Sequence, residues 1–135
     1  MNRVAVGLIG LGLAGLLGSR ANAQTVEPYQ AMGAKNTPCP NNQCIIPFPP
    51  VPQGNRLVLT SVSAQLGTNV ATVVLEGSGV SYFVPRLVQT NGFVAQPLTL
   101  YYGPGATPTA RIFSGNTPAS ESQIVTIVGH LVPTQ

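Results

Sequence analysis

Residues 56–66 read Arg56-Leu57-Val58-Leu59-Thr60-Ser61-Val62-Ser63-Ala64-Gln65-Leu66. The alternate set Val58, Thr60, Val62, Ala64 and Leu66 is largely apolar, while the opposite set turns polar at Ser61, Ser63 and Gln65. A period of two is the signature of a strand with one face buried. The pattern recurs downstream. Residues 70–76 put Ala71, Val73 and Leu75 on one face, and Gly77-Ser78-Gly79 then turns the chain. Residues 80–89 form a third run, in which Pro85 argues for an edge position because proline cannot donate to a ladder. Asn91-Gly92 is a hairpin signal, since both residues tolerate positive φ. Residues 93–102 lead to the turn Gly103-Pro104-Gly105. Residues 109–113 end at Ser114-Gly115-Asn116, and residues 123–132 close the series with Val125, Ile127, Gly129 and Leu131 on one face.

No segment shows helical periodicity. Six or seven strands separated by turn signals predict an all-β chain, a single β-sandwich of jelly-roll-like or immunoglobulin-like form over residues 51–135. Strand count alone does not separate the two forms. A true immunoglobulin domain is not indicated, because the chain has no Trp and its two cysteines stand close together.

Upstream of the strands the composition changes. Residues 37–52 contain Pro38, Pro40, Pro47, Pro49, Pro50 and Pro52, which rules out a helix or a central strand there. Residues 24–50 are therefore expected to be an extended leader packed along the edge of the domain, with Ile45, Ile46 and Phe48 apolar enough to dock. Cys39-Pro40-Asn41-Asn42-Gln43-Cys44 frames a short ring. In an exported chain this pair reads as a structural disulfide. The spacing is not that of a thioredoxin-like redox pair, and no nearby Cys or His completes a metal site.

Export follows from the first 23 residues. Arg3 opens a short basic start, residues 4–18 are free of charge, and Ala21-Asn22-Ala23 supplies the small residues a signal peptidase requires. Cleavage is expected after Ala23. The apolar run is short for a permanent span, which needs about 20 residues. The expected destination is the periplasm or the exterior, with no membrane span after signal cleavage. Gly10-Leu11-Gly12-Leu13-Ala14-Gly15 matches a dinucleotide-binding pattern but lacks the strand, helix and acidic residue that give it meaning, so no cofactor is expected.

The remaining residues carry little reactive chemistry. The chain has 135 residues, of which 7% are charged and 44% hydrophobic, and Asp is absent. Ordinary domains are roughly 25% charged. Past Ala23, Lys35, Arg56, Arg86 and Arg111 face Glu27, Glu76 and Glu121, a net of +1 with no cationic cluster. Nucleic acid is therefore not an expected partner. His130 is the single histidine, and alternation places it opposite the apolar face. No nucleophile elbow accompanies it, and nothing in the sequence pairs Glu76 with Glu121 as glycosidase carboxylates. No catalytic residue, metal ligand or enzyme activity is expected.

Two other readings remain. Tyr82, Arg86, Tyr101, Tyr102 and Arg111 could together form a sugar- or peptide-binding patch, although alternation sends Tyr101 and Tyr102 to opposite faces. The scarcity of charge instead suits contact surfaces, either between copies of the chain or with a cell-surface component. The run Ile46-Pro47-Phe48-Pro49-Pro50-Val51-Pro52-Gln53-Gly54-Asn55-Arg56-Leu57-Val58-Leu59-Thr60-Ser61-Val62-Ser63, with the closing Ile127-Val128-Gly129-His130-Leu131-Val132, resembles small exported β-sandwich proteins of bacteria that belong to no named family. That resemblance implies fold and export rather than an activity. The expected function is non-enzymatic: self-assembly or a structural role at the cell surface or in the periplasm. The alternative is a carbohydrate- or peptide-binding module.

Overall fold

Alternating apolar residues pair into eight strands in the computed structural model, which describes residues 25–36, 40–67, 70–85, 92–114 and 122–134. They are β1 (Glu27–Lys35), β2 (Gln43–Pro47), β3 (Asn55–Gln65), β4 (Val70–Gly77), β5 (Val80–Val84), β6 (Phe93–Tyr102), β7 (Thr109–Ser114) and β8 (Gln123–Pro133). One antiparallel sheet, sheet A, has the order β1-β8-β3-β6; the other, sheet B, has the order β2-β7-β4-β5. Their inner faces share one apolar core that includes Leu57, Leu59, Val62, Ile112, Val125, Ile127 and the ring of Tyr102. The architecture is a β-sandwich.

Eight strands replace the expected six or seven. The six expected from residue 56 onward are all present, and the two additional ones, β1 and β2, come from residues 24–50. Each lies at the outer edge of one sheet. Proline removes only a donor, and at an edge a donor that points away from the neighbouring strand has no ladder partner to lose. Pro28 in β1, Pro47 in β2 and Pro97 in β6 are tolerated on those terms, while Pro85 follows directly on the last edge strand, β5. Beyond β2 the chain continues extended. Phe48 N donates to Pro108 O at 2.9 Å and Val51 N to Ala106 O at 2.8 Å, while both side chains enter the core. Ile46 docks with them, whereas Ile45 points outward.

Ser78 and Gly79 have φ of 48° and 74°, the double positive φ that matches a tight turn to strand twist, and they join β4 to β5 as a hairpin. The hairpin expected at Asn91-Gly92 falls largely on residues 86–91, which lie outside the described residues. Gly92 does have a positive φ, but β5 pairs with β4 and β6 with β3, so this connection passes from one sheet to the other.

In β3 the alternation changes phase. Leu57 and Leu59 are fully buried, as are Val62 and Ala64 further along, so the inward set switches from odd to even numbers. A β-bulge causes the switch: Leu59 pairs with Gly129 and Ser61 with Val128, which leaves Thr60 without an opposite residue on β8. The Thr60 hydroxyl donates to Val128 O at 3.3 Å. An extra residue of this kind reverses which side chains face the core. The uniform face expected from Val58 to Leu66 is corrected accordingly.

Candidate functional site

The two outer faces of the sandwich differ in chemistry. On sheet B, Arg111 projects outward from β7 between buried Ala110 and Ile112. Its Nε donates to Glu76 Oε1 and Oε2 at 3.0 and 3.1 Å, its second terminal nitrogen (Nη2) lies 3.0 Å from Oε2, and its first (Nη1) donates to Gln43 Oε1 at 3.2 Å. Hydrogen bonding to Glu76, then its charge, raises the Arg111 pKa further above its ordinary value. This cation ties β2, β7 and β4 together.

The outer face of sheet A carries almost no charge. Strand register aligns its side chains in four cross-strand rows. These run Pro28–His130–Val58–Tyr101, Gln30–Val128–Ser61–Pro97, Met32–Thr126–Ser63–Ala95 and Ala34–Ile124–Gln65–Phe93. None of these four rows contains a carboxylate, a lysine or an arginine; the pair Val132–Arg56, beyond the Tyr101 row, carries the arginine of this face. Met32, Phe93 and Tyr101 are 69%, 58% and 57% exposed, and Val128 is exposed as well. A shallow groove of about 470 Å³ runs among Ser63, Gln65, Phe93, Ala95, Ile124 and Thr126. A second hollow lies at Gln30, Met32 and Thr126, so that Thr126 borders both.

The residues expected to form a ligand patch fall on different surfaces. Tyr101 stands on the outer face of sheet A with the Arg56 guanidinium 5.7 Å above its ring. Tyr102 points the other way and is 2% exposed, its ring against Gly77 at the end of β4. Arg111 lies on the outer face of sheet B. Tyr82 sits where β5 meets β6, and its hydroxyl accepts a hydrogen bond from Gln96 Nε2 at 3.1 Å. Arg86 lies outside the described residues. The structure therefore brings no two of Tyr101, Tyr102 and Arg111 to one surface. Among the described residues Arg56 is the cation that meets a tyrosine, and cross-strand register explains it: Tyr101 opposes Val58, two positions from Arg56.

His130 is on the outer face of sheet A and Glu76 on that of sheet B, so they do not form an acid–base pair. Glu121 lies outside the described residues. Among the described residues no three His, Cys, Asp or Glu side chains are grouped to hold a metal ion, and no helix is long and apolar enough to cross a membrane. Cys44 is 1% exposed and is not a free thiol, while Cys39 lies outside the described residues.

Burial gives Tyr102 a measurable pH signature. Desolvation raises its pKa from 10.0 to about 12, because the core accepts the neutral phenol and rejects the phenolate. Between those values the unfolded chain binds fewer protons than the folded one, so stability falls as pH rises. The contribution is fully present below the unfolded pKa and is lost by about pH 12, on the order of 2 kcal/mol. Urea midpoints at about pH 9 and about pH 11.5 should separate by less in Tyr102→Phe than in the parent. Equal separation in both would remove Tyr102 as the cause.

No protein-family model matches the chain, and no curated protein matches its sequence.

Proposed function

We propose that this is a non-enzymatic, exported β-sandwich that works through surface contacts made by the outer face of sheet A. The observation that carries the reading is that face itself: four rows of side chains without a carboxylate, lysine or arginine, four exposed large apolar groups and a groove at the end away from Tyr101. An exposed apolar area rimmed by polar groups marks a contact surface. Arg56 and Tyr101 at one end are residue types enriched where interfaces bind most strongly. The sheet edges favour the same reading. With prolines in or beside all four edge strands, strand addition is disfavoured and the face is left as the contact surface. A sugar- or peptide-binding module remains the second reading, with Tyr101 and Arg56 in place of the wider patch.

The strand pairing supports a jelly roll rather than an immunoglobulin-like form. β1 pairs with β8, β2 with β7, β3 with β6 and β4 with β5, the order produced when one long hairpin is rolled into two sheets. Export rests on the N-terminal signal pattern, and the Cys39–Cys44 ring rests on the compartment this implies. Such a small ring contributes about 2 kcal/mol on the chain-entropy account. The intact mass of the exported chain reads both features: loss of residues 1–23, and two hydrogens fewer than the dithiol.

The contact reading is tested by oxidative footprinting of Met32 and Tyr101. Both should be protected in the exporting cell and reactive in dilute purified protein, since thioether oxidation follows exposure. Equal reactivity in the two settings would sink the reading.

A further inference from the structure

We infer that the occupant of this face is a second copy of the chain, stacked sheet A against sheet A about a two-fold axis that runs across the strands. The inference rests on the reading of the face as a contact surface and names its partner. Charge is the first argument. A two-fold axis sets the groups that lie near it against their own copies, and the four rows around the middle of the face hold no carboxylate, lysine or arginine; Arg56 stands outside them, at one end. A strongly charged partner would find nothing to pair with in those rows.

Size is the second argument. The four strands of sheet A are 9 to 11 residues long. At about 4.8 Å between strands and about 3.3 Å per residue, the face spans roughly 600 Å². Two such faces bury about 1,200 Å² in projection, the lower bound of a standard stable interface. Exposed Val128 near the middle, with Met32 and Phe93 on the two edge strands, provides the apolar area.

The axis follows from where the arginine of the face stands. Arg56 lies at the Tyr101 end of the face. An axis parallel to the strands would set the Tyr101 ends of the two copies against each other and bring Arg56 beside the Arg56 of the copy. An axis across the strands sets each cationic end over the other copy's Ala34–Ile124–Gln65–Phe93 row, which is uncharged. Strand β6 then lies over β6, and Ala95 comes near the Ala95 of the other copy.

The test begins with the solution mass of the processed, exported chain by light scattering across micromolar concentrations. A dimer that dissociates on dilution is expected. Ser63→Lys, in the middle of the face, should give a monomer as stable as the parent at concentrations where the parent is itself monomeric, while Phe83→Lys on the outer face of sheet B should leave the dimer intact. A monomer throughout, or a dimer that survives Ser63→Lys, overturns the inference. A monomer accompanied by protected Met32 in the cell assigns the face to a different molecule, leaving the contact reading in place. For the axis, a bismaleimide spanning the roughly 10 Å between packed sheets should link Ala95→Cys to itself. Linkage of Ala95→Cys to Met32→Cys in a mixture, without self-linkage, would select the parallel axis and overturn the one proposed.

Discussion

Gly129→Ala is expected to lower the unfolding free energy by about 3 kcal/mol, at the upper end of what overpacking costs. Gly129 sits in β8 opposite the bulge, with β3 crossing close above it. A β-carbon there would collide with the carbonyl oxygen of Val58 and stand 2.9 Å from the α-carbon of Leu59. Both are backbone atoms of a central strand held by neighbours on either side, so neither can step aside as a flexible side chain could. Relief would require β3 to part from β8, the pair at the centre of sheet A. The control is Gly103→Ala, where an added β-carbon meets nothing within 4 Å and φ is not positive. That change should stay within about 0.5 kcal/mol. Urea denaturation of both variants decides the matter; a Gly129→Ala midpoint equal to that of Gly103→Ala would show that the two strands do not approach so closely.

Leu59→Ala should cost about 3 to 4 kcal/mol, and Thr60→Ala less than about 1. Leu59 has 0% of its surface exposed, and deleting three carbons from a site bounded by both sheets leaves a cavity in addition to the lost transfer energy. Thr60 is exposed and contributes only its hydroxyl to Val128 O. The pair tests the phase of β3 directly. An uninterrupted alternation with Val58, Thr60 and Val62 inward would reverse the order, leaving Leu59→Ala mild and making Thr60→Ala the costlier change. Thermal or urea unfolding distinguishes the two outcomes without any knowledge of function.

The same strand shows where legibility ends. Its existence and its limits could be read from residues 56–66, and residues 93–102 correspond to the whole of β6. Those segments alternate strongly and end at glycine or proline, which is a local property of the chain. The bulge at Thr60 was not legible, since Leu57-Val58-Leu59 is apolar at every position and fits either phase. Its phase is set by the register against β8, where Gly129 alone leaves room for the closer backbone.

The candidate site divides along the same line. Alternation sufficed to separate Tyr101 from Tyr102, and the charge count sufficed to suggest a contact surface. Neither could show that Arg56 rather than Arg111 meets a tyrosine among the described residues, because that depends on which strands become neighbours. Nor could they show that Arg111 of β7 is taken up by Glu76 of β4 and Gln43 of β2.

By itself the sequence determined the all-β class, the six strands from residue 56 onward, the edge position of the strand before Pro85 and the poverty of charge. Each is a property of spacing and composition over ten residues or fewer, where backbone geometry and proline's missing donor act locally. Only the tertiary structure decided that residues 27–35 and 43–47 are strands, that the Asn91-Gly92 connection crosses between sheets, and that the uncharged side chains gather on sheet A while the ion pair lies on sheet B. Those outcomes depend on pairing between strands distant in the chain. An edge strand such as β1 forms because β8 offers it a ladder and the core offers Tyr29 and Ala31 a place to pack, and neither exists until the sheets have assembled.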